Sequence, residues 1–203
     1  MKHIFVEGKT PDLPTLLLLH GTGGNEREIL PVAEAIAPEA AVLSVKGNVL
    51  ENGLPRFFRR LAEGVFDEED LIFRTQELNQ FVTEASVQYK FDRNNVMAIG
   101  YSNGANIAAS MMYHHPDALA GAILFHAMVP REGIALPDLS RVQVFVGAGE
   151  NDPMIPAPQT KLLMSQLRDA GAQVTEFWTQ QGHQLTREEM TQAAQWFTEK
   201  YGT

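Results

Sequence analysis

The 203 residues carry a formal net charge of −9 and no cysteine, and 44% of them are hydrophobic. That length suits one domain, residues 1–203, and the missing cysteine excludes disulfides, thiolate metal sites and a thiol nucleophile together. The acidic balance repels a phosphate backbone, apolar runs such as 16–19 are far too short to span a bilayer, and no secretion signal is visible, so the expectation is a cytoplasmic protein without nucleic-acid partners or membrane insertion.

Taken in order, residues 3–7 suggest an edge strand, and 15–20 a buried strand running into Gly21-Thr22-Gly23-Gly24. A helix over 26–36 and a strand over 41–45 follow. Residues 47–63 read as irregular, with Asn52-Gly53 and Pro55 as turn signals; whether the 47–66 stretch closes over a site as a lid is left open. Leu71, Leu78, Val82, Ala85 and Tyr89 recur at helical spacing after Asp67. The strand 96–99 precedes an Ala-rich helix that Pro116 stops near His115. Strands over 121–125 and 142–146, a helix over 158–170 ended by Gly171, and a strand over 174–178 complete the alternation. Thr186 and Glu189 form a capping box for the last helix. Such alternation predicts an α/β fold with a mostly parallel sheet covered on both faces and ligands beyond the carboxyl ends of the strands.

Gly100-Tyr101-Ser102-Asn103-Gly104 sits where the strand 96–99 must reverse into a helix. Glycine two residues before and after Ser102 leaves room for that reversal, and the serine is presented at the sheet end in a strained conformation. By itself the pattern arises by chance in roughly one chain in fifteen of this length, so its surroundings carry the argument. A serine hydroxyl needs a base within hydrogen-bond reach. Of six histidines, His183 follows a strand beside a flexible Gly182 and is the best placed. His114 and His115 lie at the far end of the helix, His20 suits bracing of the Gly-rich turn, and His126 suits a structural or substrate-wall role. Asp152, in a turn after another strand, would orient the imidazole, with Glu150 as the fallback; alone, Asp152-Pro153 would pass for an Asx turn. Backbone donors for an oxyanion are expected at Thr22 and Asn103, main-chain roles that make Thr22→Ala a mild change. Phosphate-loop and dinucleotide patterns fail on spacing, and adjacent His114-His115 cannot share a helix face for a metal.

Leu19-His20-Gly21-Thr22-Gly23-Gly24, Gly100-Tyr101-Ser102-Asn103-Gly104, Gly149-Glu150-Asn151-Asp152-Pro153-Met154-Ile155-Pro156 and Gly182-His183 together resemble the phospholipase/carboxylesterase branch of the α/β-hydrolases, which includes acyl-protein thioesterases and small bacterial carboxylesterases. The 48–73 stretch looks most like bacterial members described as hydroquinone- or catechol-responsive. The resemblance implies a central sheet of about seven strands, Ser102 as nucleophile, His183 as base, Asp152 as acid and the Thr22 and Asn103 amides as oxyanion donors. Relatives with Leu-Gly-Asp after His-Gly differ from this chain's Thr22-Gly23-Gly24, which bears on acyl-chain preference.

The expectation is a serine carboxylesterase for small or short-chain esters that needs no metal or organic cofactor, its activity rising with pH as His183 loses its proton. Gly23, Phe57, Phe58, Phe66, Phe73, Met128 and Met154 are candidate pocket walls. Thioesterase or lysophospholipase activity with the same residues is the alternative, and a non-catalytic ligand-binding protein the second. The partner expected is a small ester; a homodimer stays open.

Overall fold

A computed structural model describes residues 1–202. Seven strands form the main sheet: β1 (His3–Val6), β2 (Thr15–Leu19), β3 (Val42–Val45), β8 (Val96–Tyr101), β9 (Gly121–Phe125), β10 (Gln143–Gly149) and β11 (Gln173–Thr179), in the order β1-β3-β2-β8-β9-β10-β11. Only β1 runs antiparallel to its neighbour. The sheet is that of an α/β-hydrolase.

Strand β2 explains why the sheet is covered on both sides. Successive side chains point to opposite faces, so Leu17 and Leu19 enter one core and Leu16 and Leu18 the other. The first core is closed by α2 (Glu68–Tyr89), α3 (Asn103–His114) and α4 (Ala157–Asp169), the second by α1 (Leu30–Ile36) and α5 (Arg187–Tyr201). A strand buried on both faces reads as an unbroken apolar run, which is what TLLLL is.

Several stretches depart from expectation. Helix α1 begins at Leu30 rather than at 26, because the Asn25 side chain accepts from the Arg27 and Glu28 amides and holds a turn there. Residues 47–63 are not irregular: β4 (Val49–Glu51) pairs with β5 (Leu54–Arg56), and β6 (Arg60–Ala62) with β7 (Val65–Phe66). Asn52 and Gly53, both at positive φ, make the first hairpin turn. Strands β8, β10 and β11 run further at their carboxyl ends than expected, carrying the residues that follow them to one edge of the sheet.

Candidate active site

Ser102 sits between β8 and α3 with φ 51° and ψ −114°, a left-handed conformation costing about 1–3 kcal/mol in a non-glycine residue. Two close approaches hold it there. A Cβ on Gly104 would fall onto the Leu19 carbonyl, and one on Gly100 would lie 2.6 Å from the Ala105 Cα. No side chain fits at either position, so the strand–turn–helix reversal depends on both glycines.

The Ser102 Oγ lies 2.8 Å from His183 Nε2, and His183 Nδ1 lies 2.7 Å from Asp152 Oδ2. Asp152 divides its oxygens between two tasks: Oδ1 accepts the Met154 and Ile155 amides at 2.8 and 3.0 Å, closing the Asx turn, while Oδ2 faces the imidazole. Burial would raise the Asp152 pKa, but the hydrogen bonds from His183, the two amides and His126 outweigh it and hold the carboxylate below its ordinary range. Glu150 points elsewhere, accepting from the Gln180 side chain.

The Gly-rich turn is braced as its sequence suggested. His20 is buried; its Nδ1 donates to the Gly21 carbonyl at 2.6 Å and its Nε2 accepts the Gly47 amide at 3.1 Å. Burial pushes its pKa down, in keeping with this neutral tautomer. Thr22 is followed by Gly23 at φ 84°, whose amide donates to the Pro55 carbonyl at 2.9 Å. The Thr22 and Asn103 amides donate to no other group among the described residues. Thr22 is not merely a backbone element, however: its hydroxyl accepts from Arg56 Nη1 at 2.6 Å. Asn103 likewise uses its side chain, Oδ1 accepting the Phe57 amide at 2.7 Å.

A cavity of about 80 Å³ opens at Ser102, lined among others by Thr22, Arg60, Phe66, Asn106, Met128 and Met154. It collects three of the candidate wall residues and leaves four elsewhere. Phe57 and Phe58 are fully buried in the sheet's first core, where they peg the 54–58 segment down. Phe73 is 60% exposed, on a separate hollow beside Met1 and Phe81. Gly23 lines a larger cavity of about 480 Å³ behind the Gly-rich turn, between Ile29, Val32, Tyr101 and Leu185.

Four further residues enter the site beyond the catalytic and oxyanion candidates. Arg56 is almost fully buried, its charge met by Glu51 at 3.3 Å. Asn106, one turn along α3, accepts the Met128 amide at 2.9 Å and so fixes that wall. His126 contacts Asp152 Oδ2 through Nδ1 at 2.9 Å and Glu189 Oε1 through Nε2 at 3.1 Å. In the sequence His126 stands out as a histidine after a strand, read as structural or as a substrate wall, and Glu189 as the capping-box partner of Thr186, a signal that speaks to helix capping alone. His126, Asp152 and His183 offer ligand atoms within 4.8 Å of one another, yet both imidazole Nδ1 atoms converge on a single oxygen at hydrogen-bond lengths. The cluster is built to share protons.

The sequence pattern of the phospholipase/carboxylesterase family matches residues 2–201. The chain belongs to this family. It is 52% identical over 199 residues to the MhqD protein of Bacillus subtilis (strain 168), covering 98% of each chain. The solved structure of the Bacillus cereus carboxylesterase superposes with a TM-score of 0.97 at 59% identity, over 98% of this chain and 94% of that one. An acyl-protein thioesterase of Cryptococcus neoformans var. neoformans serotype D is 25% identical over 176 residues, 76% of this chain and 73% of its own length. As a member of the phospholipase/carboxylesterase family the chain is a hydrolytic enzyme, a carboxylesterase-type hydrolase. No helix among the described residues is long and apolar enough to cross a membrane.

Proposed function

We propose that the protein is a serine esterase for small carboxylic esters with short acyl groups. Ser102 Oγ attacks the ester carbonyl while His183 Nε2 takes its proton, and Asp152 steadies the resulting imidazolium. The carbonyl oxygen, now an anion, is received by the Thr22 and Asn103 amides, the latter at the positive end of α3. Collapse breaks the ester bond, and His183 returns the proton to the departing alcohol. Water then attacks the acyl-enzyme, giving one proton to His183, and the carboxylic acid leaves as Ser102 is restored.

The observation that carries this reading is the 2.8 Å approach of His183 Nε2 to Ser102 Oγ, in line with the 2.7 Å contact to Asp152. The small hollow beside Ser102, walled by Phe66, Met128 and Met154, supports a short acyl group. The test combines fluorophosphonate labelling with a series of nitrophenyl esters of increasing acyl length. Labelling lost in Ser102→Ala and kcat/KM highest for the shortest esters support the reading; a labelled Ser102→Ala, or a preference for long chains, rejects it.

A second reading, thioester hydrolysis by the same residues, is favoured by the thioesterase name of the Cryptococcus relative. Matched oxygen and sulfur esters of one acid separate the two: a kcat/KM higher for the sulfur ester by more than their intrinsic reactivity difference selects it.

A further inference from the structure

His126 is the residue whose surroundings the reaction as written does not use. It follows β9 directly, at φ 54°, a backbone conformation that a non-glycine residue holds only when its environment imposes it. Its amide donates to the Gly147 carbonyl at 2.8 Å, and its side chain has no solvent exposure. Glu189, on α5, is equally buried.

Proton counting fixes what this burial means. Asp152 Oδ1 is taken by two amides, and Glu189 Oε2 by the Thr186 amide and hydroxyl, each at 2.8 Å. Asp152 Oδ2 and Glu189 Oε1 remain, and His126 faces one with each ring nitrogen, at 2.9 and 3.1 Å. Neither His126 Nε2 nor Glu189 Oε1 has any other partner, although the contact between them lies off the ideal hydrogen-bond line. Two nitrogens against two carboxylates need a proton in each gap, and a neutral imidazole supplies one. Leaving either gap empty would strand a buried polar pair.

We propose that His126 and Glu189 are positioning residues of the hydrolytic site: His126 stands as an imidazolium clamped between Asp152 and Glu189, and through Asp152 it fixes the tilt of His183. The inference rests on the serine-esterase reading for its kinetic consequence, but not for the protonation state itself. The titratable groups facing His126 are Asp152 after β10, Glu189 on α5, His183 before α5, and Tyr101 on β8, whose ring lies 5.8 Å away. Tyr101 stays neutral, its pKa raised by burial and by both carboxylates, and its hydroxyl donates to the His183 carbonyl at 2.7 Å. Burial works against a charge on His126, but the two carboxylates outweigh it and raise its pKa, while Glu189, buried as it is, is held below its ordinary range by His126 and Thr186. The arrangement balances charge along the reaction. With His183 neutral, two carboxylates and one imidazolium leave one negative charge, and it is cancelled when His183 takes the Ser102 proton.

Glu189→Gln isolates the effect. The Gln carbonyl can accept from Thr186 while its amide donates to a neutral His126 Nε2, so shape and hydrogen bonds persist while the His126 charge is lost. The ring centroids of His126 and His183 are 5.2 Å apart, and a cation there opposes a second proton on its neighbour. In the variant the Glu189 charge goes with that cation, but Glu189 meets the ring nitrogen of His126 that faces away from Asp152. The nearer cation dominates, so the acid limb of kcat/KM is expected to move upward by about half a pH unit or more at an effective dielectric near 20. In the ¹⁵N-labelled wild type near pH 7, the His126 ring should show two N–H protons, and in Glu189→Gln one. A single His126 N–H in the wild type, or superimposable acid limbs in the two proteins, overturns the proposal. If Glu189→Gln does not fold, the wild-type spectrum alone decides. Because the spectrum does not depend on turnover, a silent Ser102 in the labelling experiment above would reject the esterase reading and leave this one standing.

Discussion

The Thr22 hydroxyl accepts a 2.6 Å hydrogen bond from the nearly buried Arg56 guanidinium. The loop proposed to receive the oxyanion is therefore held by a side chain from the hairpin across the cavity. Hydrogen bonds to charged groups contribute about 1.5–3 kcal/mol. Thr22→Val keeps the shape and removes the acceptor, so kcat/KM should fall roughly tenfold or more, mainly in kcat, with a smaller change for Thr22→Ser. Steady-state kinetics on a short-chain ester check it; equal rates for all three proteins would mean the loop needs no such tether.

Asp152→Asn separates the two tasks of one carboxylate. The Asn carbonyl can still close the turn on Met154 and Ile155, but its amide cannot accept from His183. Some stability should be lost with the buried His126 contact, but the protein should stay folded while kcat drops by about 10³–10⁴-fold, the scale seen when a triad acid is lost. Urea titration beside kinetics distinguishes this from general unfolding.

Gly104→Ala drives a Cβ into the Leu19 carbonyl, which belongs to the strand beside β8 and cannot yield. A loss of about 3 kcal/mol or more is expected, at the upper end of point substitutions. Gly53→Ala and Gly64→Ala meet open space, and only their positive φ opposes the change, at about 1 kcal/mol. Chemical denaturation should place Gly104→Ala well below the other two variants.

Stability should depend on pH in opposite senses at the two ends. The His126 pKa is raised above its ordinary 6.5, so its contribution is complete below about that pH and is lost as pH climbs through the folded value. Asp152 and Glu189 are lowered from 3.8 and 4.5, so theirs is complete above those values and is lost as pH falls through the folded ones. His20, lowered by burial, works in the opposite sense below about pH 6.5, so the clear mark of His126 is a urea midpoint that falls as pH climbs above about 6.5, a decline that Glu189→Gln should flatten. A midpoint still rising from pH 7 to 9 would contradict this.

The order of elements was legible because buried parallel strands leave unbroken apolar runs, as in 16–19 and 96–99. Ser102, Asp152 and His183 each follow the carboxyl end of a strand, so chemistry and topology pointed to one edge. Asp152-Pro153 read equally well as a turn because it is one, on its other oxygen. The hairpins over 49–66 escaped notice since Leu50, Leu54 and Leu61 are exposed, and no alternation marks the strands. Aromatic residues gave no means of telling wall from core: Phe57 and Phe58 look like Phe66 in a string of letters. His126 was visible only as a histidine after a strand, because its partners come from sites 26 and 63 positions further along the sequence.

The paired hairpins share no ladder with the seven-stranded sheet, and their attachments run through Arg56, Phe57 and Pro55 to the residues around Ser102. A side chain added at their tips, at Gly53 or Gly64, would meet open space. Insertions or replacements confined to those tips would alter the approach to the serine and spare the scaffold. Diversification of such enzymes would then proceed by grafting at two turns, while residues 55–58 resist exchange.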